Sequence, residues 1–120
     1  MLRSYQDLEV YKRSYQLLLD IHKLSFTLPD RERFELSSQL RKAAVSIPLN
    51  IAEGCGRNDC VKEFKHFLSD SLGSCNEVQV LLNMLKGLCY IEQLLYQSFK
   101  DEYDILGKQL NTKINKCHNI

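Results

Sequence analysis

Apolar residues at Leu36, Leu40, Ala43, Ala44, Ile47 and Ile51 recur at the three-and-four spacing of one helix face, and Pro48 stands inside that stripe. A proline there removes one backbone donor and crowds the preceding turn. It also pushes Ile47 away from helical angles. The stripe nevertheless keeps its register from Ile47 to Ile51, which predicts one helix kinked at Pro48 rather than two. Asn50, Glu53, Gly54, Gly56 and Arg57 follow as a polar, glycine-rich end. Gly54 and Gly56 are expected to terminate the helix, because glycine takes left-handed angles without strain.

The rest of the chain repeats the theme. From about residue 4 to 25, Val10, Leu17, Ile21 and Leu24 form one stripe, while Tyr11, Tyr15 and Leu18 form another about 100° away. That arc is wider than one packed face needs. Such an arc means either a helix sunk deep in the fold or one face on the bundle and another on a partner subunit; in so short a chain the second is favoured, with Val10, Leu17, Ile21 and Leu24 as the interface candidates. Leu28-Pro29 breaks the pattern, with Asp30 as a candidate cap for a helix over 31–54. Asn58-Asp59 opens a third helix over 59–87, with Phe64, Phe67, Leu68, Leu72, Cys75, Val78, Leu82 and Leu85 as its seam. Gly73 and Ser74 in that seam suggest the close approach of a neighbour. A fourth helix over 91–116 carries Leu95, Phe99, Tyr103, Leu106, Leu110 and Ile114, and a lysine-rich tail from Lys108 is expected to fray. No strand pattern occurs. The expectation is an all-α, antiparallel, up-and-down four-helix bundle in a single domain of residues 1–120.

Composition bounds the function. A chain of 120 residues that is 44% hydrophobic and 26% charged builds a core without disulfides or a structural metal. Its net charge of +1 is low for a protein that lives on non-specific nucleic-acid contacts. Five cysteines and an N-terminus without the apolar core of a signal sequence point to a reducing, cytoplasmic compartment. No apolar run is long enough to span a bilayer.

Sites for chemistry are hard to find. Cys55, Cys60 and His66 fit no zinc spacing. His22, His66 and His118 are scattered, with no nucleophile elbow nearby. His22 falls on the Tyr15 and Leu18 face and reads as an interior or interface histidine, and His66 reads as a surface residue. Gly54-Cys55-Gly56-Arg57 lacks the lysine and hydroxyl residue that complete a phosphate loop. No Glu-x-x-His pair supports a di-iron centre. No catalytic residue, cofactor or metal is therefore assigned. Ser46, Pro48, Asn50, Glu53, Gly54 and Arg57 read first as a hydrogen-bonded lock on the kink and junction, and second as part of a binding surface. Arg41, Lys42 and Arg57 are the candidate contacts to nucleic acid or a partner, although interleaved acids make this a solvated face first.

Gln39-Leu40-Arg41-Lys42-Ala43-Ala44-Val45-Ser46-Ile47-Pro48, then Asn50-Ile51-Ala52-Glu53-Gly54 and Gly56-Arg57, resembles the signature of a bacterial four-helix-bundle family. The family is named for open reading frames in intervening sequences of large-subunit ribosomal RNA genes. Asp7-Leu8-Glu9-Val10, Leu28-Pro29, Glu63-Phe64, Phe67-Leu68 and Gly73-Ser74 with Glu77 extend the likeness. The turn from Leu88 to Ile91 has Leu-Cys-Tyr where the family often has Leu-Gly-Tyr. The resemblance implies a four-helix protomer assembling into a ring, a pentamer with a central channel, and no known enzymatic activity. It leaves an RNA or a protein as partner. One branch comprises accessory variability determinants of diversity-generating retroelements, which bind a reverse transcriptase and nucleic acid. An accessory subunit of that kind is the alternative reading. That branch is strongly basic, and the present chain is not.

Overall fold

The computed structural model describes residues 4–56 and 61–117. These form four helices: α1 (Glu9–Ser25), α2 (Leu36–Gly56), α3 (Val61–Gly87) and α4 (Gln93–Cys117). Short 3-10 turns at Tyr5–Asp7 and Asp30–Glu32 precede α1 and α2. No strand occurs among the described residues. Consecutive helices pack side by side and run antiparallel, in a bundle 46 × 22 × 20 Å in extent.

The stripes read from the sequence point inward, with Ile21, Leu40, Ile47, Ile51, Leu68, Leu82, Leu85, Tyr103, Leu106 and Leu110 fully enclosed. The interface candidates Val10, Leu17, Ile21 and Leu24 are 1%, 5%, 0% and 6% exposed in the protomer. They pack first against the other helices of the same chain, and Leu17 and Leu24 also line the surface between α1 and α4. The face of α1 left to solvent is the adjacent one, with Tyr15, Leu19 and Phe26 exposed. His22 is exposed too, edge-on to Phe26 at 5.0 Å.

α2 begins at Leu36, five residues later than expected, because the chain first makes the 3-10 turn. Asp30 lies inside that turn and is not a helix cap; Pro29, extended at ψ 148, leads into it. α2 then runs as one helix through Pro48, which is buried. Side-chain donors gather on the carbonyls around it. Ser46 Oγ donates to the Ala43 carbonyl at 2.8 Å, and Asn50 Nδ2 to the Ser46 carbonyl at 2.9 Å. Ser71 Oγ, from α3, donates to the Ile47 carbonyl at 2.9 Å.

Gly54 does not end α2, which continues to Gly56. It is buried, and a Cβ there would stand 2.8 Å from the Phe67 Cβ and 3.3 Å from Phe64 Cδ1. Its role is to let α3 approach. Gly73 does the opposite of what its place in the seam suggests, since it is exposed and a Cβ there would meet nothing within 4 Å. The Asn58-Asp59 start signal, Cys60 and His118 lie outside the described residues.

α3 closes in a paired-bond C-cap. Tyr90 N–H donates to the Leu85 carbonyl at 2.9 Å, and Cys89 N–H to the Lys86 carbonyl at 3.0 Å. Cys89 takes φ 61, a left-handed angle that favours glycine. The expected fraying from Lys108 is corrected as far as Cys117, since α4 keeps Ile114 and Cys117 buried.

Candidate functional site

The polar side chains first considered for binding do not converge. Arg41 is half-buried and turned back on its own fold: Nη1 donates to Ser25 Oγ at 3.1 Å. Its guanidinium carbon lies 5.2 Å from the Phe26 ring centroid. Ser25 Oγ donates in turn to the His22 carbonyl at 2.7 Å, and Ser37 Oγ donates to the Ser25 carbonyl at 3.1 Å. Arg41 thus belongs to a small polar clasp that ends α1 against α2. Lys42, the next residue, is exposed on the outer face of α2. Arg57 lies outside the described residues. Of the junction group, Ser46 and Asn50, which flank Pro48, both donate to α2 carbonyls that precede it, and Gly54 receives α3, while Glu53 is on the exposed side.

Perturbed titratable groups sit in the core or against it. Burial pushes the Cys75 thiol up to about 11, and its Sγ–H donates to the Tyr103 carbonyl at 3.3 Å. Burial likewise raises the Tyr103 phenol, helped by Cys75 and Asp20. Cys55 is raised by burial, partly offset by Lys113. Tyr11 is raised by burial and by Tyr5 and Tyr15 beside it. No group of His, Cys, Asp and Glu suited to a metal ion occurs among the described residues. None of the described helices is long and apolar enough to cross a membrane.

Concave surface occurs instead between helices. A groove of about 750 Å³ runs between α1 and α4. Leu17, Leu24, Leu95 and Phe99 supply its apolar lining, and Glu9, Lys12, Asp20, Lys23 and Glu102 its charged walls. Arg13 ties its two sides together, donating from Nη1 to Glu102 Oε2 at 3.0 Å and from Nε to Gln109 Oε1 at 3.2 Å. A second cleft, of about 380 Å³, lies at the corner between α1 and α2, where Phe26, Phe34, Arg33 and Arg41 meet. Sequence reasoning missed Phe26 and Phe34, although both are aromatic residues outside the helical stripes, on either side of the Leu28-Pro29 break. That is the available signal.

The family description 23S rRNA-intervening sequence protein matches residues 6–112. Among solved structures, the chain is similar to a protein of unknown function from the S23 ribosomal protein family of Bacteroides thetaiotaomicron VPI-5482. The two share 25% identity and a TM-score of 0.81 over 88% of this chain and 95% of that one. No curated protein matches. Neither the family description nor the solved structure names an enzymatic activity. With the helical bundle in place and nearly the whole chain matched, this protein belongs to the 23S rRNA-intervening sequence protein family.

Proposed function

We propose that this chain is a non-enzymatic interaction protein that assembles with copies of itself, as a pentameric ring, and offers that scaffold to an RNA or a protein. The α1–α4 groove carries the reading. Its apolar lining and charged walls of both signs have the anatomy of a protein–protein interface, apolar at the centre and polar at the rim. Walls of mixed charge also suit a second copy of the same chain, which brings both signs with it. The described cysteines, none of them in a disulfide, fit a reducing, cytoplasmic compartment.

Sedimentation velocity at micromolar concentration tests this. The expected result is one species of about 70 kDa, five copies of the 14.0 kDa chain. Leu95→Asp, at a position 43% exposed in the protomer, is expected to dissociate it with helicity retained. A 14.0 kDa monomer at every concentration overturns the proposal.

A further inference from the structure

The corner between α1 and α2 exposes two large aromatic rings. Phe34 is 84% exposed and Phe26 is 69% exposed. Both line the same cleft of about 380 Å³, within the range of small-ligand sites. Each ring carries a guanidinium: Arg33 Cζ is 5.4 Å from the Phe34 centroid and Arg41 Cζ is 5.2 Å from that of Phe26. Arg41 is held in place by Ser25 Oγ, so its orientation is set before any ligand arrives. Neither arginine pairs with a carboxylate among the described residues. Asp30 is the one carboxylate on the wall, leaving the cleft with an excess of positive charge.

We propose that this cleft binds a nucleotide of single-stranded RNA. The rings and the guanidinium planes stack on the base, and the arginines meet the flanking phosphates. Aromatic and arginine planes both stack on unpaired bases, without reading their sequence. Arginine's fork matches phosphate oxygens. Asp30 adds an acceptor for an exocyclic amine of the base. Aromatic and arginine side chains also occur at protein interfaces, and what favours a nucleotide here is the excess of positive charge beside two open ring faces. A single small cleft also accommodates the net charge of +1, which a long basic stripe does not. The inference rests on the reading of the chain as an interaction protein and names one site and its ligand chemistry.

The test is fluorescence anisotropy of a labelled ten-nucleotide oligo(A) RNA with the full chain in 50 mM salt. Binding is expected, weakening with salt at a log–log slope of about −1.4 for two phosphates of a single strand. Phe34→Ala and Arg33→Ala each reduce affinity about tenfold, with unchanged circular dichroism and thermal melting, since both side chains are exposed. Lys108→Ala on α4, also exposed, changes it less than twofold. No binding in 50 mM salt overturns the proposal, as does equal binding by the Phe34 and Arg33 variants. Displacement of the RNA by a decaglutamate peptide at equal concentration also overturns it, because the cleft then reads acidic charge alone. Sedimentation reports on self-assembly separately, so a ring that binds no RNA refutes this inference and leaves the scaffold reading standing.

Discussion

Ser71 on α3 donates a 2.9 Å hydrogen bond to the carbonyl of Ile47, the residue immediately before Pro48 in α2. Proline supplies no N–H, so the Ala44 carbonyl one turn back lacks its helical partner. The backbone next to that gap is tied to the neighbouring helix through a fully buried hydroxyl. Ser71→Ala removes the tie from a dry interior. The expected cost is about 1–2 kcal/mol, read as a lower urea midpoint at constant m-value. A variant as stable as the parent would show that the bond contributes nothing.

Two glycines of the bundle are expected to respond in opposite directions to alanine. At Gly54 the new methyl would stand 2.8 Å from the Phe67 Cβ and 3.4 Å from the Phe64 carbonyl, neither a flexible end. Overpacking of this kind costs about 1–3 kcal/mol, which outweighs the gain of up to about 1 kcal/mol in helix propensity. At Gly107 the methyl would meet Cys75 Sγ at 3.7 Å and Leu72 Cδ1 at 3.8 Å, ordinary contacts. Gly107→Ala therefore stabilises by about 0.5–1 kcal/mol. Parallel thermal melts of the two variants check the sign of each.

Cys89→Gly is expected to raise stability by about 1 kcal/mol. The residue sits at φ 61, where a side chain crowds the following carbonyl, and its own side chain is exposed and packs little. The two backbone bonds of the C-cap survive the change, since both come from main-chain atoms. A fall in melting temperature would show that the thiol makes a contribution larger than the strain.

The core predicts an alkaline weakness. Cys75 is pushed from its ordinary 9.0 up to about 11 by burial, and Tyr103 is raised as well. Above pH 9 the unfolded chain releases these protons first, so it binds fewer protons than the folded one. Stability is then full below pH 9 and falls as pH rises towards 11. Cys75→Ala flattens the early part of that decline. The Tyr103 hydroxyl is buried with no hydrogen-bond partner among the described residues. Tyr103→Phe is therefore expected to stabilise by about 1 kcal/mol at neutral pH and to remove the later part of the decline. Urea titrations from pH 7 to 11 measure both effects.

The helices were legible because each carries a stripe at helical spacing, and Leu36 to Ile51 keeps register even across a proline. Which stripe of α1 faces inward was not legible. Val10-Leu17-Ile21-Leu24 and Tyr11-Tyr15-Leu18 are both apolar, and the choice is made by α2 and α4 packing on one of them. Close approach was equally hidden. Gly73 lies in an apolar seam and faces open space, whereas Gly54 sits among polar residues and touches α3. The candidate site divides in the same way. Arg41 stood out by its charge, but its bond to Ser25 and its place over Phe26 join segments that only the corner brings together. The exposure of Phe34 was not legible because a lone aromatic beside a turn has no periodicity.

The antiparallel course has a consequence for tethering. The Glu32 carboxylate accepts a 2.9 Å hydrogen bond from the Tyr90 hydroxyl, so the α1–α2 corner and the α3–α4 turn share one end of the bundle. Glu9 and Val10 line a groove with Lys113 and Lys116, so the start of α1 and the finish of α4 share the other. A fluorophore or affinity handle joined at either end of the described chain therefore sits towards the opposite end of the bundle from Phe26 and Phe34, separated along α1 by its 17 residues, about 25 Å. Immobilised through such a handle, the protein presents its aromatic corner outward to solution.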